Sequence, residues 1–292
     1  LPVDYEIFQD EEGKLRDYGF PYVDKAIAWC EKYGLNLILD LHKTAGYVFD
    51  DPTYVGFFES EEFQERFYQL WEEFARRYGN IGSRVAFELL NEVTDPSFSP
   101  AWNRIIRTVI GRIRAIAPEV KILVGGYWNN SVDALKDLEA PYDENVIYNF
   151  HCYDPLLFTH QGAPWVAGMP HDFRLSYPLS FREHNDAARK LGLTDFITPA
   201  PDESALYGKD FFVSKWQAGI KVCQERGVAL YCGEYGVIDR ASPEQTLAWY
   251  KDINAAFKKC GIGRAAWSYK LMDFGLSDER MKGVVGELVK CL

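Results

Sequence analysis

Val85-Ala86-Phe87-Glu88-Leu89-Leu90-Asn91-Glu92 is an apolar run of strand length that closes on two polar residues. What flanks it decides the kind of strand it is. Before it, Phe63, Phe67, Leu70, Trp71 and Phe74 fall on one face of a helical wheel with Glu and Arg opposite, which predicts an amphipathic helix over 61–78, ended by Gly79-Asn80. After it, a second helical pattern covers 99–117. A mostly apolar strand set between two such helices belongs to a parallel sheet buried on both faces.

The same alternation runs along the chain. Strands are expected at 35–42, 85–92, 121–128, 146–153, 228–234 and 264–270, with helices near 20–34, 61–78, 99–117, 210–226, 243–260 and 279–290. Ser242-Pro243 reads as an N-cap and first turn, and Gly261 as a stop. With no repeat and no linker rich in Pro, Gly or Ser, the reading is one domain over 1–292, an α/β chain of the (β/α)8 TIM-barrel class. The segment 154–209, rich in Pro and aromatic residues, is expected as a long irregular loop. It follows the 146–153 strand, which places it over the strand C-termini.

Composition narrows the partners. A net charge of −11 over 292 residues argues against nucleic acid, whose backbone is neutralised by Lys and Arg. No run of eighteen apolar residues is present to cross a membrane. The six cysteines, at 30, 152, 223, 232, 260 and 291, make no CxxC pair and no Cys/His spacing that wraps a metal, so no metal and no cofactor are expected. By strand alternation Cys152 and Cys232 face different ways and do not form a disulfide; the thiols read as small apolar fillers, which favours a reducing compartment. No signal region is found at Leu1-Pro2-Val3, which leaves export open. Aromatic residues make up 15% of the chain, and Trp128 and Trp165 fall where turns are expected, placed to stack on sugar faces.

In a parallel barrel the residues at strand C-termini converge on one face. Here those ends carry His42, Asn91-Glu92, Trp128, His151 with Tyr153, Glu234, and Trp267 with Lys270. Two carboxylates among aromatic rings and imidazoles suit glycosidic bond hydrolysis through a covalent intermediate. That chemistry needs one protonated carboxyl to release the leaving group and one ionised carboxylate to attack the anomeric carbon, about 5 Å apart. Glu92 and Glu234 supply such a pair. Asp40 and Glu88 share the parity of His42 and Glu92 and read as structural carboxylates below the site, which requires each to have a partner. Glu59, Glu61 and Glu62 sit at a helix start, where the macrodipole favours acids, and take no catalytic role.

At these residues the chain resembles glycoside hydrolase family 5, of clan A. Val85 to Val93 is similar to that family's strand ending in Asn-Glu, Leu39-Asp40-Leu41-His42 to its third strand, and His151-Cys152-Tyr153 to its His-x-Tyr strand. Gly233-Glu234-Tyr235-Gly236 is similar to its nucleophile strand and Ala266-Trp267-Ser268-Tyr269 to its eighth. The resemblance implies Glu92 as acid/base, Glu234 as nucleophile, and Asn91 as a contact to the sugar 2-hydroxyl. It further implies that Tyr153 hydrogen-bonds the nucleophile, that His42 and His151 bind hydroxyls or orient the carboxylates, and that Trp267 forms the floor of the −1 subsite. Trp128, Trp165 and Lys270 are candidates for sugars further along the groove. In the family a strand ending His-Val-Arg-Leu-Pro-Val brings an Arg beside the nucleophile, and this chain begins just after it, so the first one to two strands are expected to be missing. The implied activity is a retaining β-glycosidase on a β-glucan oligo- or polysaccharide, foremost an endo-β-1,4-glucanase, with β-1,3- or mixed-linkage glucanase and β-mannanase as neighbouring specificities. A catalytically silent carbohydrate-binding barrel is the reading from another class.

Overall fold

The computed structural model describes residues 1–292, gathered into two compact units. One is made of 1–150 and 219–230, the other of 151–218 and 231–292. In the first unit β1 (Pro2–Asp4), β2 (Leu37–Lys43), β3 (Val85–Glu88), β4 (Lys121–Gly125) and β5 (Val146–His151, whose last residue opens the second unit) run parallel. Each pairs with the next: Pro2 faces Asp40, Leu37 faces Val85, Ala86 faces Lys121 and Ile122 faces Val146. β1 is the one strand of this unit outside the sequence-based assignments, being three residues long and too short for periodicity to reveal.

Helices α1 (Phe20–Tyr33), α2 (Glu61–Tyr78) and α3 (Ser99–Arg114) lie between these strands in the chain. α2 has the limits its pattern predicts. Ser60 caps it by accepting from the Phe63 amide, acids fill its first turn, and Arg76 and Arg77 occupy its last, as the dipole favours. Phe67, Leu70, Trp71 and Phe74 are fully buried, and the Trp71 indole donates to the Leu89 carbonyl at 3.1 Å, which ties the helix to the segment beyond β3. Gly79 ends α2 with an ordinary φ of −68°. Its glycine is demanded by packing, since a Cβ there would come within 2.3 Å of the Ala117 Cβ.

Several expected strands end before their apolar runs do, β5 among them at His151 where 153 was expected. β3 ends at Glu88, yet the Leu89 amide still donates to Leu123 and the Asn91 amide to Leu41, so its neighbours go on holding it. β4 ends at Gly125, and Trp128 lies in a left-handed turn instead of the strand.

In the second unit β6 (Ala229–Glu234, whose first two residues lie in the first unit) pairs in parallel with β7 through Tyr231 and Gly263. β7 is only Gly263–Arg264, where 264–270 was expected, because beyond Trp267 the chain bonds to itself: the Leu276 amide donates to Ser268. The segment 154–209 is not the irregular loop its composition suggests. It holds α4 (Phe181–Leu191), started by a reciprocal capping box between Ser180 and Glu183 and stopped at Gly192 with φ 73°. Ala188 on α4 packs with Leu157 and Met169 in a small core of its own. α5 (Lys209–Arg226) and α6 (Pro243–Cys260) agree with expectation, α6 having its predicted Ser242 cap and Gly261 stop. The last helix, expected over 279–290, is broken into a 3-10 turn at Glu279–Met281 and α7 (Val285–Cys291).

His184 on α4 is 2% exposed, its Nδ1 at 3.2 Å from the Tyr207 hydroxyl, and burial lowers its pKa below the ordinary imidazole value. The sign follows. Above the ordinary value of about 6.5 the folded and unfolded chains are equally unprotonated here; below it the unfolded chain takes up a proton that the fold resists, so stability is lost as pH falls. The thermal midpoint of the wild type should therefore drop more steeply between about pH 7 and pH 5 than that of His184→Gln. Parallel curves would remove His184 from the acid response.

Candidate active site

Within the first unit, three of the expected residues come together at the ends of β2 and β3. Asp40 Oδ2 lies 2.7 Å from His42 Nδ1, so the carboxylate accepts a hydrogen bond from the Nδ1–H and leaves Nε2 as acceptor toward Asn91 Nδ2 at 3.4 Å. Asp40 thus has a partner at Oδ2, though among the described residues its buried Oδ1 has none, and Glu88 has one in the Asn149 amide, which donates to Oε1 at 2.5 Å. Asn91 is 1% exposed, and among the described residues its Oδ1 has no hydrogen-bond partner. A buried acceptor left so is costly unless a ligand donates to it.

Glu92 follows Asn91 in a left-handed conformation, φ 44°, which few non-glycine residues adopt. Tyr47 holds it there. The buried Tyr47 hydroxyl donates to the Glu92 carbonyl at 2.7 Å and accepts from the Thr94 amide at 3.0 Å, and burial pushes its pKa up to about 12, so it remains a donor. The Glu92 carboxyl accepts at Oε2 from Asn129 Nδ2, 2.9 Å away.

Within the second unit, His151, Tyr153, Glu234 and Trp267 come together. The Tyr153 hydroxyl donates to Glu234 Oε2 at 2.8 Å, and His151 Nδ1 lies 3.6 Å from the same oxygen. The main chain fixes these distances: the Cys152 amide donates to the Glu234 carbonyl and the Trp267 amide to the Tyr235 carbonyl. Gly236 makes room, since a Cβ there would stand 2.2 Å from the Trp267 carbonyl oxygen. Tyr153 and Trp267 both pack on the Ala163, Ile238 and Phe274 cluster, and the Tyr153 ring meets His160 edge-on at 5.0 Å. Cys152 and Cys232 have separate partners, Asp154 Oδ2 for one and the Glu234 carbonyl for the other.

The remaining candidates are peripheral. Trp128 and Trp165 are about half exposed, Trp128 in the turn that carries Asn129, Trp165 with its ring 6.2 Å from that of His160. Lys270 is exposed on the loop past Trp267. Tyr47, Asn129, His160 and Phe274 were not singled out in the sequence. Only the Asn129-Asn130 pair, placed after an aromatic residue where a turn was expected, carries a signal of its own, because Asn is among the residues that tolerate left-handed backbone.

Glu92, past the end of β3, and Glu234, the last residue of β6, are thus each held by a side-chain donor. Known proteins resemble this chain in sequence and in fold. Cellodextrinase A of Ruminococcus flavefaciens is 46% identical over 266 residues, covering 90% of this chain and 71% of its own. Endoglucanase C of Acetivibrio thermocellus is 35% identical over 302 residues, covering 100% of this chain and 85% of its own. The crystal structure of endoglucanase Cel5A from the hyperthermophilic Thermotoga maritima matches at a TM-score of 0.76 with 23% identity, covering 100% of this chain and 84% of that one, a likeness of fold. That fold class is the (β/α)8 barrel anticipated from the alternation of strands and helices. The model of the cellulase family, glycosyl hydrolase family 5, matches residues 1–272, and the chain belongs to that family of glycoside hydrolases.

Proposed function

We propose that this glycoside hydrolase cleaves β-1,4-glucans with retention, Glu234 acting as nucleophile and Glu92 as acid/base. The observation that carries the reading is the grip on Glu234: the Tyr153 hydroxyl donates to Oε2 at 2.8 Å, which stabilises the ionised form that a nucleophile needs, and His151 Nδ1 lies 3.6 Å from the same oxygen. At the Glu92 carboxyl one of the partners is a neutral amide, Asn129, which does not force it to stay ionised.

In the first step Glu92 gives its proton to the glycosidic oxygen while Glu234 attacks the anomeric carbon. The C–O bond breaks, the leaving sugar departs as an alcohol, and a glycosyl ester forms on Glu234. In the second step Glu92, now a carboxylate, takes a proton from water; the oxygen attacks the anomeric carbon and Glu234 is released. The mechanism requires the two carboxyls to lie about 5 Å apart. Asn91 Oδ1 accepts from the sugar 2-hydroxyl, which answers the buried acceptor without a partner, and Trp267 lies under the sugar ring. The names cellodextrinase and endoglucanase borne by the relatives favour a β-1,4-linked glucose chain cut internally, over β-1,3- or mixed-linkage glucan and mannan.

Glu234→Gln should lower kcat/KM on aryl β-cellobiosides by about three orders of magnitude or more while oligosaccharide binding survives, measured by phenol release and calorimetry. Hydrolysis that persists in this variant removes Glu234 from the reaction; a wild type that binds cellodextrins but turns over no β-glucan or mannan would instead be a binding protein. Tyr153→Phe deletes one hydrogen bond to a charged group, worth about 1.5–3 kcal/mol, so its kcat/KM should fall about ten- to a hundredfold. A loss below threefold would mean that the hydroxyl does not support the carboxylate.

A further inference from the structure

We infer that Asn129 is a positioning residue for the acid/base step, a role that rests on the assignment of Glu92 made above. Its Nδ2 donates to Glu92 Oε2 at 2.9 Å. The backbone that delivers this contact is unusual. Trp128, Asn129 and Asn130 are successively left-handed, with φ of 52°, 55° and 56°, and Glu92 opposite them has φ 44°. Non-glycine residues enter that region at a cost and persist there where surrounding bonds hold them.

Those bonds join the turn to the segment that bears Glu92. The Trp128 amide donates to the Thr94 carbonyl at 3.1 Å and the Asn129 amide to the Val93 carbonyl at 3.0 Å. Tyr47 grips the same segment through the Glu92 carbonyl and the Thr94 amide. Beneath the turn Asn130 is buried against Gly125, where a Cβ would lie 2.2 Å from the Asn130 Oδ1. The glycine at the end of β4 thus makes room for the turn, and the turn aims one amide at one oxygen of Glu92.

The chemistry of an amide N–H fits that place. It donates only, so Oε2 is kept as an acceptor and the proton of neutral Glu92 is carried on Oε1, the oxygen that must deliver it to the glycosidic oxygen. Being uncharged, Asn129 holds Oε2 whether Glu92 is acid or base, so the carboxyl keeps one orientation through both steps. A Lys or Arg there would favour the carboxylate and spoil the acid.

Aryl β-cellobiosides with an activated and with a poor leaving group test this, because proton delivery matters for the second and little for the first. Asn129→Gly removes the donor and suits positive φ; Asn129→Asp keeps shape and backbone preference but cannot donate when ionised. In both variants the loss of kcat/KM should be at least about tenfold greater for the poor leaving group than for the activated one, in the same direction as Glu92→Gln and smaller. Equal losses on both substrates would reduce Asn129 to a structural residue, and wild-type rates with the poor leaving group in Asn129→Gly would remove it from the step; either result overturns the inference. A Glu92→Gln variant indifferent to the leaving group would overturn the acid/base assignment together with the inference, which sets that failure apart from the other two.

Discussion

Main-chain hydrogen bonds that continue past the ends of the regular strands are the constraint on which the rest depends. In the first unit the Asn91 amide reaches Leu41 and the Leu89 amide reaches Leu123; in the second the Cys152 amide reaches Glu234 and the Trp267 amide reaches Tyr235. Parallel neighbours held in register keep their C-terminal ends level, and alternation then decides which side chains meet. A slip of one residue in β2 would carry His42 to the opposite face and part it from Asn91. The Asp40–His42 pair and the Tyr153–Glu234 bond are therefore consequences of backbone register before they are side-chain chemistry.

Where the register ends, left-handed backbone begins. Glu92 leaves β3's continuation at φ 44°, and the chain beyond β4 turns left-handed from Trp128 to Asn130. Such conformations tend to gather at functional sites, where they aim side chains that a regular strand would point elsewhere. Tyr47 and the amides of Trp128 and Asn129 hold these residues in place, so the carboxyl of Glu92 inherits its direction from two other segments of the same unit.

Much of this was legible in the sequence. The limits of α2 and α6 follow from their caps and apolar stripes, and the strand ends His151 and Glu234 follow from apolar runs that close on polar residues. What was not legible has physical reasons. β1 and β7 are too short to show a period. The strand lengths at 85–92 and 121–128 were overread because apolar residues continue into turns that are buried as deeply as strands; Leu89, Leu90 and Tyr127 are all buried. α4 was lost in a segment rich in Pro and aromatic residues, although Ser180 and Glu183 spell its capping box. Tyr47 and Asn129 lie 45 and 37 residues from Glu92 in the chain, and contacts of that separation leave no local mark. The partners of Asp40 and Glu88 could be required by burial but not named, since only the fold brings Asn149 to Glu88.

The account turns on a sugar being carried covalently by Glu234. Incubation with a 2-deoxy-2-fluoro-β-cellobioside bearing an activated leaving group slows breakdown of the glycosyl ester more than its formation, so the ester accumulates, and peptide mass spectrometry locates it. One adduct per chain on the peptide containing Glu234 is the predicted result. An adduct on Glu92 or any other residue, or turnover of the reagent without a covalent species, would contradict it.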